Sequence, residues 1–173
     1  MKLDEKILSE ELMHKGNFLK FVNVTVELPD GKKGTRDIIR HPGASAILPF
    51  IDDETVILVK QFRTALNKIL IEVPAGKLEK GEDPLVCASR ELEEETGYKS
   101  DNIEYLGTIA TGAGFTDEVI HLYKATNLYE GIKCGDEDEF IDIMKLKISD
   151  VKKMIKNGEI IDTKTISTFM YID

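Results

Sequence analysis

A chain of 173 residues can bury a core of its own and form one domain, with room for a small appendage. Its 42% hydrophobic and 32% charged content is that of a soluble globular protein. A net charge of −9, from 23 basic and 32 acidic residues, argues against nonspecific binding to nucleic acid or to an anionic membrane. It leaves a phosphate substrate open, because a bound metal reverses the local charge.

The N-terminal stretch MKLDEKILSEEL carries acids and no long apolar run, so neither a signal peptide nor a membrane span is read there, and the expected setting is cytoplasmic. Residues 1–15 are charged and only loosely periodic, a short strand or an ordered arm. Phe18 to Leu28 is a β-prone run, Pro29-Asp30-Gly31 is a turn, and residues 34–40 return antiparallel. Such a hairpin is too small to be stable alone and must pack on the rest of the chain or on a second subunit. After His41-Pro42-Gly43, residues 44–50, 55–63 and 68–74 read as strands. Residues 103–110, 118–125 and 139–148 do so further on. Ser149-Asp150 offers caps for a helix through Lys156, stopped at Gly158, and Asp162 caps a last helix through Met170. Cys87 and Cys134 suggest neither a disulfide framework nor a metal pair.

Residues 72–98, EVPAGKLEKGEDPLVCASRELEEETGY, are the centre of the chain. Asp83 is a good N-cap, Pro84 suits the first helical position, and Gly97 is a good stop, so the spacing predicts a helix over 84–96. Leu85, Ala88 and Leu92 share one inward stripe, with Glu91, Glu94 and Glu95 on the stripe beside it. A solvated acidic face is the ordinary reading. Against it, these acids crowd the helix C-terminus, where the macrodipole disfavours negative charge. Converging carboxylates are what Mg²⁺ or Mn²⁺ requires, and Arg90 beside them can clamp one by a bidentate bond.

The order of these residues resembles the Nudix hydrolase signature: Gly76, five residues, Glu82, seven residues, Arg90-Glu91, Leu92, any residue, Glu94-Glu95, any residue, Gly97, Tyr98. Seven fixed residues at background odds coincide in roughly one start in ten million. The departure is Tyr98, where the family usually carries an aliphatic residue. The resemblance implies an αβα sandwich with a mixed central sheet, an α/β fold. It divides the chain into an N-terminal β segment over 1–41 and a hydrolase domain over 42–173.

The chain is also similar to the ADP-ribose pyrophosphatase subfamily, in HPGASA, KQFR, EVPAG, GFTDE and the acidic DEDEF. Read alone, Arg36, Arg40 and Arg63 are ordinary surface cations, whereas Glu72, inside an apolar strand, needs a partner. The resemblance implies that Glu91, Glu94, Glu95 and the Ala75 carbonyl hold Mg²⁺, with Mn²⁺ as the alternative, and that Glu82 and Arg90 support them. It implies substrate contacts at Arg36, Arg63, Glu72 and Glu118, and a general base at Glu137 or, next best, Glu139. A small nucleotide-sugar substrate and a homodimer that exchanges its N-terminal hairpin follow from it, with no nucleic-acid or membrane partner. The subfamily usually carries a proline where Ala113 stands.

Overall fold

The computed structural model describes residues 2–133 and 140–172. The chain forms two compact units, Met1–Gly43 with Ala110–Val119, and Ala44–Ile109 with Ile120–Asp173.

The first unit is an antiparallel sheet of β1 (Lys6–Lys15), β2 (Lys20–Glu27) and β3 (Lys33–Arg40), with β2 central. The turn after Leu28 returns the chain as expected, pairing Glu27 with Lys33 and Lys20 with Arg40. Gly31 stands at φ +83°, a conformation open to glycine because it has no Cβ. The segment expected as a short strand or an ordered arm is a strand: β1 pairs with β2 along its length, with two register shifts. It gives the marginal hairpin a third strand. Val22, Val24 and Val26 alternate onto one buried face with Leu28 and Ile38 against them. The 110–119 segment attaches at Ile39, whose N–H donates to the Phe115 carbonyl (2.7 Å) and whose carbonyl accepts from Thr116 Oγ1 (3.0 Å).

The second unit starts with β4 (Ala44–Pro49), β5 (Thr55–Arg63), β6 (Lys68–Glu72), β7 (Ala75–Lys77) and α1 (Pro84–Thr96). It continues with β8 (Tyr98–Lys99), β9 (Asn102–Ala110), β10 (Val119–Thr126), β11 (Tyr129–Glu130), β12 (Ile141–Lys147), α2 (Ile148–Lys156) and α3 (Thr163–Thr168). The sheet β7-β4-β10-β9 is mixed, since β4 runs parallel to β10 and antiparallel to β7. A second sheet, β12-β5-β6, is antiparallel, and β8 pairs with β11.

Every residue of β4 is buried, because both of its faces are covered. Ala44, Ala46 and Leu48 join Val56 and Leu58 of β5, Ile120 and Leu122 of β10, Val151 of α2, Ile160 and Phe169. Ile47 points the other way, to Ala88 and Leu92 of α1 and to Tyr123 and Ala125 of β10. Helices therefore flank the strands on two sides, the layering expected from the sequence. Among the described residues no helix is long and apolar enough to cross a membrane.

α1 begins and ends where its caps predict: Asp83 accepts from the Leu85 N–H (2.8 Å), and Gly97, at φ +75°, donates to the Glu93 carbonyl (2.8 Å). Its buried face differs from the expectation. Leu85 is exposed, and Cys87, Ala88, Glu91, Leu92 and Glu95 are buried. The helix packs against the β7 loop as well as β4, which rolls the inward stripe toward the glutamates. α2 starts one residue before Ser149 with no side-chain cap, and α3 stops at Thr168, two residues short of Met170.

Candidate active site

The EVPAG run is fixed residue by residue inside the second unit. The Val73 N–H donates to Thr165 Oγ1 (2.8 Å), and the Pro74 carbonyl accepts from the Ile47 N–H (2.9 Å). The Ala75 N–H donates to Glu95 Oε2 (3.3 Å), and the Gly76 carbonyl lies 3.6 Å from Cys87 Sγ. Gly76 lies hard against the helix at Glu91. A Cβ there would stand 1.8 Å from Glu91 Oε1 and 2.2 Å from its Cδ, so the Glu91 carboxylate lies in a cradle that only glycine leaves open.

Arg90 gathers the helix acids. Its Nε donates to Glu82 Oε1 (3.0 Å), and its Nη1 donates to both Glu91 Oε1 (2.7 Å) and Glu94 Oε2 (2.9 Å). Nη2 reaches Glu82 Oε2 (3.2 Å) and the Lys77 carbonyl (3.3 Å). The guanidinium is thereby held more firmly protonated than usual, first by Glu82, while Arg90 pulls the Glu82 carboxyl below its ordinary value. Beside them burial pushes the Cys87 thiol up to about 11, which makes it an inert packing residue.

Among the described residues no three His, Cys, Asp or Glu side chains are already drawn together as a metal cage. Two acids converge on one Arg90 nitrogen, and Glu95 turns to the Ala75 amide. The donor set nevertheless fits a hard divalent cation. It is all oxygen, on one helix face, and the bare Gly76 backbone leaves the Glu91 carboxylate room beside it.

Glu72 has a side chain only 1% exposed and three partnered bonds. Arg63 clamps it bidentately, Nε to Oε1 at 2.7 Å and Nη2 to Oε2 at 2.6 Å, and Lys164 Nζ donates to Oε2. Burial raises the Glu72 pKa, but Arg63 and Lys164 outweigh it and hold the carboxyl below its ordinary value. Lys164 also reaches Asp162 Oδ1 (3.0 Å), while Asp162 Oδ2 caps α3 by accepting from the Thr165 N–H (2.9 Å) and Oγ1 (2.6 Å). Sequence reasoning passed over Lys164 and Thr165. Their signal is their place two and three residues after a capping aspartate, opposite an unpartnered strand glutamate.

Arg36 and Glu118 belong to the first unit. Arg36, on β3, donates to Glu5 of the N-terminal arm and to the Thr35 carbonyl (2.8 Å). Glu118 accepts from Thr111 Oγ1 (2.5 Å), and its other oxygen lies 3.4 Å from His41 Nε2. The Gly43 N–H donates to His41 Nδ1 (3.0 Å), which leaves Nε2 to carry the proton toward Glu118. Asp117, also unremarked in the sequence, accepts from the His41 N–H (2.8 Å) and Arg40 (3.0 Å). Glu137 and Glu139 lie outside the described residues.

The chain is 43% identical over 98% of its length to a methanol dehydrogenase activator of Bacillus methanolicus, covering 92% of that protein. It is 41% identical, again over 98%, to an ADP-ribose pyrophosphatase of Bacillus subtilis, covering 93% of it. A crystal structure described as an ADP compounds hydrolase shares the fold, with a TM-score of 0.86 over 99% of this chain and 94% of that one, at 18% identity. Residues 39–169 match the NUDIX domain family, and the chain belongs to the Nudix hydrolases.

Proposed function

We propose that this enzyme is a divalent-metal-dependent diphosphatase that cleaves ADP-ribose to AMP and ribose 5-phosphate, acting in the cytoplasm as a homodimer. The observation that carries the reading is the Arg90 hub, which collects Glu82, Glu91 and Glu94 beside the Gly76 cradle. A surface salt-bridge cluster would add little stability, whereas a guanidinium holding acids on the buried side of a helix sets their orientation. Relatives named for ADP-ribose and, at 34% identity, for ADP-sugar hydrolysis support the substrate class.

Glu91, Glu94 and Glu95, with the Ala75 carbonyl, would hold Mg²⁺ or Mn²⁺, which when bound neutralises diphosphate charge and lowers the pKa of water. Arg63 has its Nη1 unpartnered among the described residues and is suited to hold a phosphoryl oxygen. Glu137, or Glu139, takes the proton of the attacking water. Water oxygen then bonds to phosphorus as the bridging P–O bond breaks, and AMP and ribose 5-phosphate leave. Arg36 and Glu118 stand as substrate-contact proposals, each tested by its own alanine variant.

Purified protein with Mg²⁺ should release AMP from ADP-ribose, and chelation should stop it. Preference for GDP-mannose, NADH or a dinucleoside polyphosphate would overturn the substrate and leave the diphosphatase chemistry. A second reading, activation of a dehydrogenase, is supported by the 43% identity to the methanol dehydrogenase activator. A change in methanol dehydrogenase turnover on adding the protein tests it.

A further inference from the structure

Four charged side chains form a linked circuit at the base of the EVPAG run, Arg63 to Glu72 to Lys164 to Asp162. Lys164 and Glu72 have side chains 10% and 1% exposed, and Asp162 is 15% exposed. Buried ions are costly and add little net stability, so such a circuit calls for another reason to exist. Two cations and two anions balance one another. Only Arg63 reaches solvent appreciably, at 38%, and it lies within electrostatic range of Glu95 on α1.

The division of labour inside the circuit is uneven. Glu72 occupies Nε and Nη2 of Arg63 and so fixes the guanidinium plane, but its charge also offsets that of Arg63. Lys164 bonds the same Glu72 oxygen that Nη2 uses, restoring the positive charge that Glu72 removes. Asp162 offsets Lys164 in turn, while its second oxygen is committed to the α3 cap. Without the ammonium, Arg63 would belong to a net-negative cluster next to the α1 acids, a poor surface for a polyanion.

We propose that Lys164 is a positioning residue that acts through Glu72, holding the Arg63 guanidinium in place and keeping its cluster from turning net negative toward a diphosphate. The inference rests on the diphosphatase reading and goes beyond it, in giving α3 a part in substrate affinity. It also places the charge balance of the circuit, rather than Arg63 alone, in control of that affinity.

The test uses full-length protein, with KM and kcat for ADP-ribose and the inhibition constant of inorganic diphosphate. Lys164→Gln keeps a donor, on a side chain one bond shorter, and loses the charge. It should raise KM and the inhibition constant about tenfold or more, with a smaller change in kcat. Lys164→Arg should recover most of the affinity. Asp162→Asn keeps an oxygen for the cap and removes one negative charge, so it should bind diphosphate more tightly than wild type. The double variant Lys164→Gln with Asp162→Asn should bind close to wild type although both single changes remain. A purely structural Lys164 would move the thermal midpoint and leave KM unchanged in the folded protein. That result, or weaker binding by Asp162→Asn, overturns the proposal while wild-type turnover upholds the function. Wild-type protein that cleaves no diphosphate substrate overturns the function itself.

Discussion

Gly76 and Glu91 share a space that fits only one side chain: a Cβ on the glycine would lie 1.8 Å from the carboxylate oxygen. Gly76→Ala should displace the carboxylate by about an ångström and cut turnover about a hundredfold, the usual cost of such misplacement. Gly158→Ala is the control, since nothing lies within 4 Å of its Cβ. Its φ of +76° should cost about 1 kcal/mol in thermal denaturation and leave the rate alone.

Glu95→Gln separates metal binding from folding. The Gln oxygen can still accept from the Ala75 N–H, so stability without metal should stay within about 1 kcal/mol of wild type. Turnover at saturating Mg²⁺ should fall by orders of magnitude. A near-wild-type rate would remove the glutamate stripe from the chemistry. Glu94→Gln should lose as much rate, and in addition its charge-assisted bond to Arg90.

Acid stability follows from Glu72 and Glu82, whose folded pKa values both lie below the ordinary 4.5. A carboxyl with a depressed folded pKa contributes stability above its unfolded pKa and loses it as pH falls through the folded value. The thermal midpoint should therefore hold above pH 4.5 and drop below it. Glu82→Gln, lower in midpoint at neutral pH, should show a shallower drop. Parallel profiles would mean that the Arg90 pairing is not worth more folded than unfolded.

The general base is tested by Glu137→Gln, which should lower the rate at saturating substrate far more than it alters affinity. Equal loss from Glu139→Gln would make the two share the role.

How much of this was legible differs element by element. α1 could be placed to the residue because Asp83, Pro84 and Gly97 are local signals that depend on nothing distant. Which side of α1 faces inward depends on the Gly76 loop, so Leu85 was misjudged while the ends were not. β1 carries its apolar residues in adjacent pairs, Ile7-Leu8 and Leu12-Met13, with no strict alternation, and its state as a strand comes from its partner β2. Lys164 reads as a solvated helix charge because its partner Glu72 is 92 residues away. The need of Glu72 for a partner was visible, since a carboxylate in an apolar strand cannot go unpaired. The identity of the partners was not.

The N-terminal sheet carries exposed Ile7, Leu8, Leu12, Met13, Phe18 and Phe21, more apolar surface than a small sheet of its own should leave open. A homodimer covering it is expected, visible as twice the chain mass by light scattering at micromolar concentration. A fully active monomer would exclude it.

Ala113 follows Gly112 in a tight turn closed by the Phe115 N–H on the Gly112 carbonyl (2.9 Å). This makes Ala113 the second residue of that turn, the position at which proline is favoured. Its φ is not positive, and its N–H donates no bond among the described residues, so a proline would forfeit no hydrogen bond there. Ala113→Pro should therefore raise the thermal midpoint by about 1–4 °C, through fewer unfolded conformations. Fixing the turn also limits how the segment bearing Thr111, Thr116 and Glu118 can rearrange, and those three are already joined by the Thr111 and Thr116 hydroxyls. The preference for ADP-ribose over other ADP-sugars should sharpen, read as a wider ratio of kcat/KM between them. A stabilised variant with an unchanged ratio would separate the turn from substrate choice. A destabilised one would show that Gly112 needs a conformation that a following proline forbids.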